Sequence, residues 1–140
     1  MTRTYKLEVL EAIADELAKA SNGTITPKII PYERGDDTCN CWGFVAHAAN
    51  WVDEPDWMEQ RDMKALLDSK TFEVSLKEAL PGDILAYFAP GTDYLLHTAL
   101  VVRPGELILH KAGIFPISIE GEKDEPYYQP SKMSYLRVKA

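Results

Sequence analysis

The stretch Asn40-Cys41-Trp42-Gly43-Phe44-Val45-Ala46-His47-Ala48-Ala49-Asn50-Trp51 is apolar almost throughout and carries a cysteine at its head. A run of that length and composition predicts a buried helix from about Cys41 to Val52, with the thiol in its first turn. That place is the positive end of the helix macrodipole, which favours thiolate over thiol. Backbone N–H groups there also point toward an oxygen on any group attacked nearby. Cys41 is therefore a candidate nucleophile, set against the blander reading of a small buried apolar residue, the usual state of a free cysteine. The only other cysteine, Cys39, lies two positions earlier. A disulfide between the two would be strained, and two cysteines are too few for a disulfide framework.

Working outward, Tyr5 to Ala20 reads as an amphipathic helix with Leu7, Leu10, Ala14 and Leu17 on one stripe and Ser21-Asn22-Gly23 as its stop. Thr24 to Asp37 is a loop punctuated by Pro27, Pro31 and Gly35. Met58 to Ser69 is a second amphipathic stretch, with Met63, Leu66 and Leu67 inward. After Leu80 the texture changes to short β-type runs: Asp83 to Phe88, Leu96 to Val102, Glu106 to Lys111, Pro116 to Ile119 and Ser134 to Val138. Pro81-Gly82, Pro90-Gly91 and Pro104-Gly105 supply turns between them. The expectation is an α+β fold, with N-terminal helices packed on an antiparallel meander of about five strands, over one domain spanning residues 1–140.

A thiol nucleophile needs a base, and there are three histidines. His47 follows Cys41 by six residues in the same helix, a rotation of ~600° that points it away from the thiol. It reads as a partly exposed helix residue. His97 and His110 each interrupt an apolar run, Leu95-Leu96-His97-Thr98-Ala99-Leu100 and Leu107-Ile108-Leu109-His110. A buried imidazole needs a partner. If the two runs form a hairpin around Arg103-Pro104-Gly105-Glu106, a loop of two or four residues places both rings on one face, paired directly or diagonally. A three-residue loop separates them. On the favourable register the order is nucleophile on a helix, base on one strand and orienting group on the next. A satisfied core histidine is the ordinary reading of either residue alone; the two together with Cys41 favour the catalytic one.

Cys39, Cys41, His97 and His110 are also zinc ligands by type, but the long interval between the histidines fits no structural zinc pattern. No metal or cofactor is expected. With 15 Lys plus Arg against 22 Asp plus Glu, the formal net charge is -7. That balance argues against a nucleic-acid partner, which needs clustered cations. No apolar run approaches the ~18 residues of a membrane span, and the start lacks the apolar centre of a secretory signal.

The block around Cys41 resembles the NlpC-type cysteine peptidases, papain-like enzymes that cut the peptide stems of bacterial cell wall. Their nucleophile block typically reads Asp-Cys-Ser-Gly-Phe-Val, preceded by a Pro-Tyr and a Gly. This chain has Pro31-Tyr32-Glu33-Arg34-Gly35 and then Asn40-Cys41-Trp42-Gly43-Phe44-Val45. Leu80-Pro81-Gly82-Asp83-Ile84 is similar to the family's Pro-Gly-Asp-Leu strand, His97-Thr98-Ala99-Leu100 to its His-Val-Gly-Ile strand, and Leu107-Ile108-Leu109-His110 to a third strand ending in a polar triad member. The likeness runs from about residue 28 to 112.

The resemblance implies Cys41 as nucleophile, His97 as general base and then acid, and His110 as the group that orients it. Tyr32 would line the substrate site near the oxyanion, or simply anchor its loop, and Trp42 would stand beside the nucleophile. Asn40 and Trp42 depart from the usual Asp and Ser. Aromatics near the cysteine also occur in the related CHAP-type amidases, while the histidine in third position favours the NlpC type. The implied activity is hydrolysis of an amide in a peptidoglycan stem peptide, by analogy the γ-D-glutamyl to diamino-acid bond. The setting would be a phage tail or lysis component, or an exported antibacterial effector, with phage tail proteins or an inhibitor (immunity) protein as partners. A papain-like deamidase or acyltransferase, and an inactive binding module of the same fold, are the rival readings.

Overall fold

A computed structural model describes residues 5–29, 39–124 and 132–140. Three helices, α1 (Leu7–Ala20), α2 (Cys41–Ala48) and α3 (Gln60–Lys70), precede or flank six strands: β1 (Thr71–Val74), β2 (Ile84–Phe88), β3 (Leu95–Arg103), β4 (Leu107–Lys111), β5 (Ile117–Gly121) and β6 (Lys132–Val138). The fold is α+β, as the sequence predicts. All neighbouring strands pair antiparallel, in the order β1-β6-β2-β3-β4-β5.

Two features differ from the expected meander of about five strands. Strands β2 to β5 do form a meander, but β6 returns to the free edge of β2 and separates it from β1. The sixth strand, β1, follows α3 without an intervening loop: Thr71 turns extended while its hydroxyl donates to the Leu67 carbonyl at 2.6 Å. Only Thr71 of its four residues is buried, so β1 lacks the apolar signal that marks interior strands.

Helices α1 and α2 both end in a left-handed asparagine. In α1, Gly23 N–H donates to Ala18 and Asn22 N–H to Lys19; in α2, Trp51 N–H donates to Ala46 and Asn50 N–H to His47. Asn22 (φ 54°) and Asn50 (φ 61°) take the conformation that closes such a C-terminus. This is why α2 stops at Ala48 and does not continue to Val52. All three helices bury their apolar stripes on one face of the sheet: Leu10, Ala14 and Leu17 of α1, Phe44 and Val45 of α2, and Met63 and Leu67 of α3 meet Ile84, Ala86, Leu100 and Leu109. The opposite face holds a second cluster of Leu85, Tyr87, Ala99, Val101, Ile108 and Tyr135. The turn at Glu122–Asp124 closes over it, with Tyr87 Oη donating to the Glu122 carbonyl at 2.8 Å and Tyr135 Oη bonded to the Glu122 carboxyl.

The start of α2 is fixed from two sides. Asn40 caps it: its Oδ1 accepts from Gly43 N–H at 2.9 Å and from Met58 N–H at 3.3 Å, while its Nδ2 donates to the Met58 carbonyl at 2.8 Å. The chain between α2 and α3 thereby lies against the first turn of α2. Gly43 makes that approach feasible, since a Cβ there would overlap the Asp56 carbonyl. Alanine is favoured over glycine in a helix interior by about 1 kcal/mol. Gly43→Ala is nevertheless expected to destabilise the protein by about 2 kcal/mol or more, because the clash is with backbone that cannot rotate away. Urea unfolding of the two proteins at one pH measures the difference.

Candidate functional site

His97 and His110 meet. His97 Nε2 lies 2.8 Å from His110 Nδ1, with the rings edge-to-face and both fully enclosed. The route to this contact differs from the expected loop rule. The β3–β4 connection, Pro104 to Glu106, has three residues, and Arg103 pairs with Leu107. That register alone would put the two histidines on opposite faces. Between Arg103 and Val101 the pairing slips by one residue, so that Val101 pairs with Ile108 and Leu100 with Leu109. The extra residue in β3, Val102, is a β-bulge that restores the parity. Continued along the strands, the new register sets His110 opposite Ala99, diagonal to His97.

His97 pairs with Tyr87 across β2, and the two rings lie 5.7 Å apart. Burial, and secondarily the neighbouring His110, hold the His97 imidazole well below its usual pKa, so the resting ring is neutral and available as a base. On β5, Ser118 lies directly opposite His110, and Glu120 stands two residues further on the same face. Glu120 Oε2 is 3.4 Å from His110 Nε2. Contact with His110 is the largest influence on Glu120 and keeps it a carboxylate, against the opposing effect of partial burial.

Cys41 is the first residue of α2, and its carbonyl accepts from Thr98 Oγ1 at 3.2 Å. This buried bond pins the head of α2 to the residue that follows His97. A second tie comes from Lys111, which is wholly buried: its ammonium donates to the Cys39 carbonyl at 3.0 Å and to the Gly113 carbonyl at 2.6 Å. Cys39 and Cys41 are both buried, and they form no disulfide with each other. The Cys39 carbonyl is thus held by a cation, and the first residue of α2 by a hydroxyl.

Trp42 is half-buried beside Cys41, and its indole N–H is enclosed with no hydrogen-bond partner among the described residues. Tyr32 lies outside the described residues. His47 is partly exposed on α2, as expected, and its carbonyl accepts from Lys28 Nζ at 2.9 Å. Among the described residues no group of three or more His, Cys, Asp or Glu is arranged to hold a metal ion. None of the helices there is long and apolar enough to cross a membrane.

Three contributors escape the sequence reading. Thr98 and Lys111 look like ordinary strand residues until the fold shows what they reach. Glu120 had a faint signal in the alternation of Ser118 and Glu120 along a strand next to the histidine-bearing one.

No protein-family model matches this chain, and no curated protein matches it. Among solved structures, a Staphylococcus aureus protein described as similar to a lipoprotein of the NLP/P60 family superposes with a TM-score of 0.51 at 18% identity, covering 99% of this chain and 44% of the other. The two share a fold. The present chain spans less than half the length of that neighbour.

Two outcomes follow from this geometry. Because the His97 pKa is depressed in the folded state, its contribution to stability is fully present above the ordinary imidazole value of about 6.5 and is lost as pH falls below it, where the unfolded chain binds the extra proton. The urea midpoint is expected to drop between about pH 6.5 and about pH 5, with a shallower slope in His97→Gln. Lys111→Met keeps the side-chain length but leaves the Cys39 and Gly113 carbonyls without this donor, and should cost about 1–3 kcal/mol in the same assay at pH 7.5.

Proposed function

We propose that this protein is a cysteine hydrolase that cuts an amide bond in peptidoglycan stem peptides, with Cys41 as nucleophile, His97 as base and His110 as the group that orients it. The observation that carries this reading is the buried His97–His110 pair at 2.8 Å, on the same sheet that holds the head of α2 through the bond from Thr98 to the Cys41 carbonyl. The fold shared with the protein described as similar to an NLP/P60-family lipoprotein supports the hydrolase class.

In the proposed reaction His97 takes the Cys41 proton and the thiolate attacks the amide carbonyl carbon. The carbonyl π electrons move to oxygen, which the Cys41 backbone N–H at the start of α2 stabilises. Collapse of the tetrahedral species breaks the C–N bond as His97 protonates the departing amine. Water, deprotonated by the same imidazole, then cleaves the thioester and restores the thiol. Tyr32 and Trp42 border the substrate, and the bond cut is the γ-D-glutamyl to diamino-acid link. The protein works as a phage component or an exported antibacterial effector, the latter with an inhibitor partner.

Incubation with purified peptidoglycan and mass spectrometry of the released fragments tests the reading. Wild type and Cys39→Ala should release stem-peptide fragments, while Cys41→Ala and His97→Ala should lose at least about 1,000-fold in rate. Absence of fragments from wild type, together with a Cys41 that iodoacetamide leaves unmodified in the folded protein, would replace the hydrolase with an inactive module of the same fold.

A further inference from the structure

We infer that a cleft separate from the histidine pair is a binding site for a small basic amino acid, with one carboxylate and two amino groups on an aliphatic chain. The inference does not depend on the role of Cys41. The cleft, of about 280 Å³, lies between α3 and the strands β1, β2 and β6, and none of Cys41, His97 and His110 borders it. Leu67 of α3, Phe88 of β2 and Leu136 of β6 give it apolar walls. Three hydroxyls also border it, and two are already committed: Thr71 donates to the Leu67 carbonyl at 2.6 Å and Thr92 to the Ala89 carbonyl at 3.0 Å. Ser134 is different. It is 5% exposed, and its hydroxyl makes no hydrogen bond among the described residues. A buried hydroxyl without a partner is costly, so one that borders a cleft is held ready for a polar group that enters.

The charges follow the same pattern. Lys64 and Asp68 of α3 border the cleft and answer each other at 2.9 Å. Lys132 of β6, Glu73 of β1 and Asp93 of the β2–β3 turn border it too, and have no ion pair among the described residues. The uncommitted groups are thus one cation, two anions and a hydroxyl, and their complement is one carboxylate and two ammoniums. Position divides them into two ends. Lys132 and Ser134 share a face of β6, and Asp93 belongs to the turn that follows Phe88, the residue paired with Lys132. That end suits an α-carboxylate and α-ammonium. Glu73 pairs with Leu136, which is about 13 Å along β6 from Lys132, so it stands at the other end and suits the distal ammonium. The apolar walls take the methylenes between.

Titration of the full chain with L-lysine at low salt, followed by amide proton–nitrogen NMR, tests the site. Saturable shifts are expected at Glu73, Asp93 and Ser134, with a Kd in the millimolar range that partly exposed charges allow. Norleucine lacks the distal amino group and cadaverine the carboxylate, and each should bind at least about threefold more weakly. Glu73→Gln should erase the preference for lysine over norleucine. Ser134→Ala should weaken lysine about threefold while leaving the urea midpoint unchanged or raised, since no internal bond is lost. The inference is overturned by a failure to saturate at ~50 mM lysine, by norleucine and cadaverine binding as well as lysine, or by unchanged lysine affinity in both variants. Peptidoglycan cleavage enters none of these outcomes, so the hydrolase reading stands or falls separately.

Discussion

The contact between His97 Nε2 and His110 Nδ1 is the interaction on which the site depends, and it exists only because the β3–β4 hairpin carries one residue too many. Side chains alternate faces along a strand, so a register error of one residue moves a whole set from one face to the other. A three-residue turn produces that error and the bulge at Val102 cancels it. Two local irregularities, each awkward alone, thus combine to bring the rings together in a buried setting. The Glu122 carboxyl braces the turn by accepting from Gly105 N–H at 2.9 Å, and the same carboxyl is bonded to Tyr135 of β6. The hairpin geometry that aligns the histidines is therefore tied to the far side of the sheet.

The placement of Cys41 has a separate origin. The head of α2 is gripped by Asn40 from within, by Thr98 from β3, and by Lys111 through the carbonyl two residues before the cysteine. Asn40 stands where the resembled family usually has Asp, and the structure supplies a reason for an amide: Oδ1 accepts from Gly43 and Met58 while Nδ2 donates to the Met58 carbonyl. A carboxylate could perform only the accepting half. The exchange also removes a negative charge from beside the thiol, which favours its ionisation. Burying the Lys111 ammonium is costly unless it is well bonded, and its two backbone acceptors offset part of that cost.

Much of this was legible in advance, and for identifiable reasons. The α1 stripe, the α2 start and the strands β2, β3, β4 and β6 carry strong periodicity or continuous apolar runs, because each buries a face in the core. The Asn22-Gly23 stop was readable because few residues tolerate the left-handed conformation. Strand β1 was missed since an edge strand with one buried residue has no pattern to show, and the insertion of β6 beside β2 was missed since it depends on pairing between distant segments. Asp83, quoted within the Pro-Gly-Asp segment, acts as the clasp for that pairing: Arg137 of β6 donates to both its carboxylate oxygens at 3.0 Å.

By itself the sequence determined the α+β class, the cysteine at the head of an apolar helix, and the presence of two histidines in apolar runs. These follow from composition and spacing over a few residues, where local sterics and burial leave few alternatives. Only the tertiary structure decided that the rings meet, because their parity depends on a turn length and a bulge whose effects cancel. It alone joined Thr98 and Lys111 to the segment around Cys41 and set Glu120 behind His110. Those contacts link residues far apart in the chain, and a hydroxyl, an ammonium or a carboxylate on a strand has no local signature for which distant group it will reach.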